Sequence, residues 1–232
     1  MNFNIKRDSL LPGLQCVSAN VDRRQTLPIL SNLLFNIKPS LLSITATDME
    51  VELVVDVDVK LEQTTRLTLP ARKLLDICRA LPEGATLEFD IQNEKALIKS
   101  GKSRFTLATL PAQEYPVIDI TDETTDFSVT QEKLIGLLAN TQFAMAQQDV
   151  RYYLNGLLLE VSSNNLKAVA TDGHRLAFDE TEIKTSTNKI KQIIVPRKGV
   201  TELMRLLQAG QDDVNIKVSK NHIQVRSGNL SF

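Results

Sequence analysis

Apolar residues near the start of the chain fall at Leu10, Leu14, Val17 and Val21, a spacing that places them on one face of a helix from about Asp8 to Asn20. The period then changes. The segments "ILSNLLFNI", "LLSITATD" and "MEVELVVDVDVKL" read as strands. In the last of these, Val51, Leu53, Val55, Val57, Val59 and Leu61 alternate with Glu50, Glu52, Asp56, Asp58 and Lys60, with Val54 the one apolar residue on the polar side. That alternation predicts a single long, half-exposed strand. A helical stripe returns at Leu74, Ile77, Cys78 and Leu81, introduced by Pro70 and ended near Gly84. Val200, Leu203, Met204 and Leu207 repeat it between Pro196 and Gly210.

The likeness of those two helices extends through the chain. Displaced by 124 positions, Phe3, Leu10, Leu14 and Leu30 meet Phe127, Leu134, Leu138 and Leu154. In the same frame Leu33, Leu34, Leu42, Ala46, Thr47 and Asp48 meet Leu157, Leu158, Leu166, Ala170, Thr171 and Asp172. These are ten identities where ordinary composition would give roughly three. With small shifts, "LTLPARKLLDICRALPEG" corresponds to "IIVPRKGVTELMRLLQAG", and "ALIKSGKSRF" to "IQVRSGNLSF". The reading is two homologous domains, residues 1–121 and 122–232, joined by the acidic connector "LPAQEYPVIDITDETTDF". The first copy runs on past Phe105 while the second stops at Phe232, so the second is expected to lack its final strand. The expected class is α+β, each domain carrying two helices on antiparallel sheet.

Net charge is −1, which excludes a uniformly basic surface but not a basic patch. Around the second helix of each copy, Arg72, Lys73 and Arg79 outweigh Asp76, and Arg197, Lys198 and Arg205 outweigh Glu202. Residues 48–62 hold six acids and one lysine. Basic helices over acidic strands describe a molecule that attracts polyanions on one face and repels them on the other. Cys16 and Cys78 have no metal-type spacing and sit in helical patterns, so they read as packed thiols. No signal sequence or apolar run of membrane length is present, which makes the cytoplasm the expected location.

Candidate chemistry centres on "AVATDGHRLAF", where Asp172, His174 and Arg175 crowd one of the two histidines. The repeat supplies a control: Thr47 and Asp48 recur without a histidine, so Thr171 and Asp172 are expected to build a turn. Gly173, His174 and Arg175 belong to the second copy alone and suit surface recognition. His222, in "VSKNHIQV", reads as a hairpin tip, and no metal site or cofactor motif is found. The other singular stretch is "AQQDVRYYLNG": Tyr152 and Tyr153 beside Gln148 and Arg151 suit stacking and phosphate contact, and on a strand at most one ring would face the core. Arg23 and Arg24 occupy the matching loop of the first copy.

The segments "RRQTLPILSNLL", "LPARKLLDICRALPEG", "SGKSRFTLATLPAQEYP", "QDVRYYLNGLLLE", "ATDGHRLA" and "IIVPRKGVTELMRLL" resemble, in order, the family of bacterial replication sliding clamps, the beta subunits of DNA polymerase III. That resemblance covers essentially the whole chain. It implies a DNA-clamp fold, a head-to-tail ring of two chains of three domains each, and no catalysis. Duplex DNA would pass through the ring and be held without regard to sequence. By matching motif, Arg24, Arg72, Gln148, Tyr152 and Tyr153 would touch DNA, with Lys198 and Arg205 as further contributors. Leu154, Thr171, Gly173, His174, Arg175 and Leu176 would form part of a groove for short peptides of the replicative polymerase, the clamp loader and repair polymerases. Lys102, Arg104 and Phe105 would lie at the dimer edge. The third domain of the family is absent from this chain, so the 232 residues alone are expected not to close a ring. Two other classes fit parts of the pattern: a hydrolase using His174 and Asp172, and a generic repeat-built binding module.

Overall fold

A computed structural model describes residues 2–21, 27–60, 64–92, 94–118, 123–185, 190–207 and 212–232. The chain divides into two compact units, Met1–Ile118 and Asp119–Phe232.

The first unit begins with β1 (Asn2–Lys6) and α1 (Arg7–Ser18), whose Leu10, Leu14 and Val17 are fully buried. The helix starts and stops within two residues of the expected span. Strands β2 (Asn32–Lys38), β3 (Leu41–Thr47), β4 (Glu52–Asp58) and β5 (Thr65–Pro70) form an antiparallel sheet in the order β4-β3-β2-β5. After α2 (Ala71–Ala80), the strands β6 (Thr86–Gln92), β7 (Lys95–Ser100) and β8 (Ser103–Ala108) join β1 in a second sheet, β1-β6-β7-β8. Phe3 of β1 lies opposite Phe89 of β6, and their rings stack at 4.7 Å.

The second unit repeats this connectivity. In it, β9 (Thr125–Thr130) leads into α3 (Gln131–Ala139), followed by β10 (Gly156–Val161), β11 (Asn165–Thr171) and β12 (Leu176–Glu182). A two-residue β13 (Lys184–Thr185) precedes β14 (Lys191–Pro196) and α4 (Arg197–Leu206), and the unit closes with β15 (Asp213–Val218), β16 (Ile223–Ser227) and β17 (Leu230–Ser231). One sheet runs β12-β11-β10-β14, matching β4-β3-β2-β5. The other pairs β9 with β15, β15 with β16 and β16 with β17, as β1, β6, β7 and β8 pair. The counterpart of β8 is therefore present as the two residues of β17.

A single core fills the second unit, drawing Phe127, Val214 and Ile216 from one sheet, Leu157, Leu159 and Ala168 from the other, and Leu134, Leu138, Val200 and Leu203 from the helices. The expected class, α+β with two helices packed on antiparallel sheets in each domain, is thus what the fold shows, and in the second unit both sheets and both helices contribute to one core. α2 also buries Leu75, which widens its stripe beyond Leu74, Ile77 and Cys78 because the helix packs against both α1 and β5.

The long strand expected over residues 49–61 is corrected. It begins only at Glu52, because Thr47 and Asp48 close a turn first: Asp48 Oδ1 accepts from the Glu50 and Val51 amides at 2.9 and 2.8 Å. That turn forces Met49 into left-handed backbone at φ 74°. A side chain there costs energy that glycine does not pay. Met49→Gly is expected to stabilise the first unit by about 0.5–1 kcal/mol, once the larger entropy of unfolded glycine is set against the relieved strain. A urea midpoint raised at unchanged slope would show it.

Candidate nucleic-acid and peptide interfaces

The basic helices are amphipathic for a simple reason: their apolar residues recur every three or four positions and the charged ones fill the gaps. α2 exposes Arg72, Lys73 and Arg79 while Leu74, Ile77 and Cys78 are buried. Burial pushes the Cys78 thiol up to about 12, as expected for a packed rather than a reactive group. α4 is less openly basic than its composition suggests. Arg197 turns back to donate to the Met145 carbonyl at 3.1 Å, and Arg205 is exposed but paired with Glu202 at 2.8 Å. Lys198 is half-buried at the start of the helix. Arg24 lies outside the described residues.

The tyrosine pair does not sit on a strand. Tyr152–Asn155 form a 3-10 turn, held by the Asp149 and Asn155 side chains. Asn155 accepts the Asp149 amide at 2.9 Å and donates to the Asp149 carbonyl at 2.8 Å. Asp149 takes the Arg151 amide at 2.8 Å and grips its guanidinium at 3.0 and 2.9 Å. The Arg151 side chain is the main reason the Asp149 carboxyl titrates at about 2. This loop leaves both rings outside, Tyr152 82% and Tyr153 50% exposed, in a T-shaped pair at 5.8 Å. The alternation expected of a strand, one ring inward, is replaced by two exposed aromatic faces. Gln148, also exposed, adopts φ 55° just ahead of them.

The 171–176 segment is a turn with the same bonding as residues 47–51. Thr171 Oγ1 donates to the Arg175 carbonyl at 2.7 Å and accepts the Gly173 amide at 3.1 Å; Thr47 does the same with Val51 and Met49 at 3.0 Å each. Asp172 Oδ1 accepts the His174 and Arg175 amides at 3.0 Å, and Oδ2 takes Arg175 Nε at 2.9 Å. Those bonds, the two backbone amides foremost, hold the Asp172 carboxyl below the usual carboxylate range. Its oxygens serve the turn rather than an imidazole, so Asp172 and His174 do not form an acid/base pair.

Folding brings the two singular stretches together. Gly173, at φ 90°, lies so near Arg151 that an added Cβ would stand 3.3 Å from Nη2. On the other side, Arg175 lies over the Phe143 ring, 5.7 Å from its centroid. Phe143 is 55% and Leu176 65% exposed, while Leu154 is buried. Leu154 is therefore not part of the exposed surface, to which Phe143 and Arg151 contribute; the sequence reading named Arg151 only beside the tyrosines and did not name Phe143. Their partners lie 32 and 22 positions away in the sequence, with no local pattern to announce them.

Lys102, Arg104 and Phe105 lie on the β7–β8 hairpin, the first two exposed and Phe105 half-buried opposite Ile98. β8 is an edge strand of its sheet. Among the described residues there is no cluster of three or more His, Cys, Asp or Glu side chains placed to hold a metal, and no helix is long and apolar enough to cross a membrane.

Residues 1–119 match the family "DNA polymerase III beta subunit, N-terminal domain", and residues 128–232 match "DNA polymerase III beta subunit, central domain". The Beta sliding clamp of Pseudomonas aeruginosa is 47% identical over 233 residues, which take in all of this chain and 64% of that protein. The Beta sliding clamp of Escherichia coli K12 is 45% identical, with 63% of its length covered. Among solved structures, the DNA polymerase III subunit beta of Pseudomonas aeruginosa superposes with a TM-score of 0.94 at 46% identity, covering all of this chain and 63% of that one. The Caulobacter crescentus pol III beta gives 0.90 at 36% identity, covering all of this chain and 64% of that one. The chain thus spans a little under two thirds of the length of these relatives.

Proposed function

The chain belongs to the DNA polymerase III beta subunit family, and on that premise we propose that its two units act as successive domains of a replication sliding clamp. The observation that carries the reading is the repeat-related pair α2 and α4, each burying an apolar stripe, with Arg72, Lys73 and Arg79 exposed on α2 and Arg205 exposed on α4. Arg72, Lys198 and Arg205 hold duplex phosphates through solvent-screened contacts that carry no sequence information. Arg24 acts with them, and Gln148, Tyr152 and Tyr153 add a polar and aromatic contact from the second unit. Enclosure by a head-to-tail ring of two chains, with β8 and Lys102, Arg104 and Phe105 at the joint, replaces tight binding. The protein works in the cytoplasm as a tether, without turnover.

The surface formed by Thr171, Gly173, His174, Arg175 and Leu176 receives short peptides of the replicative polymerase, the clamp loader and repair polymerases. It offers exposed apolar groups beside a few fixed polar ones, the composition such a peptide needs.

Acetylation footprinting tests the nucleic-acid face. With duplex DNA present at low salt, Lys73 and Lys198 are expected to be protected from acetylation, while Lys38 at the end of β2 and Lys60 just past β4, both exposed, react at an unchanged rate. Equal protection of all four lysines, or of none, would overturn the assignment.

A further inference from the structure

The sequence contains one Asn–Gly pair, Asn155–Gly156, and the fold makes separate demands on each residue. Asn155 closes the tyrosine loop: its Oδ1 accepts the Asp149 amide at 2.9 Å and its Nδ2 donates to the Asp149 carbonyl at 2.8 Å. An amide side chain suits that place because it offers an acceptor and a donor side by side. Gly156 opens β10 hard against β14, where an added Cβ would stand 2.7 Å from the Val195 carbonyl oxygen and 2.7 Å from Ile194 Cγ2. Only glycine allows so close an approach.

Asparagine followed by glycine is the pair most prone to lose its amide, because glycine puts no Cβ in the path of its own nitrogen. The Gly156 nitrogen attacks Asn155 Cγ; the N–Cγ bond forms, the Cγ–Nδ2 bond breaks, and ammonia leaves with the proton that the Gly156 amide gives up. Water then opens the resulting imide at either of its C–N bonds. Cleavage at Cγ leaves aspartate, and cleavage at the main-chain carbonyl leaves isoaspartate. In the folded loop the two bonds to Asp149 hold the Asn155 side chain. Asp149 is held in turn, its carboxylate accepting the Arg151 amide at 2.8 Å and the guanidinium at 3.0 and 2.9 Å.

We propose that Asn155–Gly156 is a site of spontaneous deamidation, restrained by the Asp149–Asn155 bonds, and that its conversion disarms the tyrosine loop. The acid product still accepts from the Asp149 amide but has no donor for the Asp149 carbonyl, and sets a carboxylate against it. Isoaspartate also lengthens the main chain by a methylene where Gly156 pairs with Pro196. Either product loosens the turn that keeps Tyr152 and Tyr153 outside, and adds a negative charge to the surface offered to phosphates. The effect on DNA rests on the function proposed above, whereas the modification itself does not.

The test ages the 232-residue protein in mildly alkaline buffer and maps its digest by mass spectrometry, beside a synthetic peptide, DVRYYLNGLL, the sequence of residues 149–158. Acid should accumulate at position 155 ahead of every other asparagine, yet several-fold more slowly than in the peptide. Arg151→Ala, which releases the Asp149 carboxylate, should bring the folded protein's rate towards the peptide's. Duplex affinity should fall in step with acid at position 155. Asn155→Asp should show a several-fold loss from the start with its circular dichroism unchanged, and Asn155→Ser, with no amide to lose, should not decline on ageing. No acid at position 155 once the peptide has converted, an equal rate in protein and peptide, or faster conversion at another asparagine would overturn the site. Undiminished duplex affinity in Asn155→Asp, where Arg72→Glu with Arg79→Glu lowers it, would overturn the disarming of the loop. If that double reversal also has no effect, the DNA reading fails and the disarming with it, while the mass map still decides the site.

Discussion

Leu176→Asp is expected to weaken capture of a polymerase-derived clamp-binding peptide by about 20-fold or more. Leu176 is the most exposed apolar residue of the turn. Covering such a side chain contributes about 1.5–3 kcal/mol, and tenfold in affinity corresponds to about 1.4 kcal/mol. Aspartate removes that contribution and sets a carboxylate to be desolvated against an apolar partner. The turn itself should survive, because Thr171 and Asp172 hold it through backbone amides and the Arg175 carbonyl, none of which involves the Leu176 side chain. Fluorescence anisotropy with a labelled peptide reads the loss. Duplex DNA binding measured on the same sample should be unchanged, and a parallel fall in both would mean that the substitution had damaged the fold.

The complementary substitution lies in the first unit. Arg72→Glu with Arg79→Glu removes two cations from the exposed face of α2 and puts two anions in their place, without touching the buried stripe. Affinity for duplex DNA at about 0.05 M salt should fall on the order of a hundredfold, uniformly across sequences, and the slope of log K against log salt should become shallower by about two. Peptide capture at the second unit should be unaffected. The same reversal at Arg205 should cost less, because Glu202 already draws that guanidinium aside at 2.8 Å.

Much of this was legible because the chain contains its own comparison. The helical stripes are local, so Leu10, Leu14 and Val17 in α1, and Leu74, Ile77 and Cys78 in α2, are buried as their spacing demands. Thr47 and Asp48 recurring as Thr171 and Asp172 separate turn-building from chemistry in the sequence itself, and the bonds these side chains make to the backbone are the same set in both turns. Alternation misled where a side chain captured the backbone. The Asp48 carboxylate stops the run of residues 49–61 from being one strand, and Asp149 with Asn155 turns Tyr152 and Tyr153 into a 3-10 segment. Neither effect has a period. Phe143 and the approach of Arg151 to Gly173 were illegible for a different reason: each depends on a neighbour that only the tertiary fold supplies. The charge on α4 was overcounted because composition does not distinguish an arginine aimed at solvent from one aimed at a carbonyl, as Arg197 is.

The central claim is that these repeat-related helices hold duplex DNA by phosphate contact alone. It is tested most directly by titrating the 232-residue protein with two duplexes of unrelated sequence over a salt series. The expected result is one affinity for both duplexes at each salt concentration and a common linear fall of log K with log salt, made shallower by charge reversal at Arg72, Lys198 and Arg205. A preference for one duplex, or a slope that those reversals leave unchanged, would contradict it.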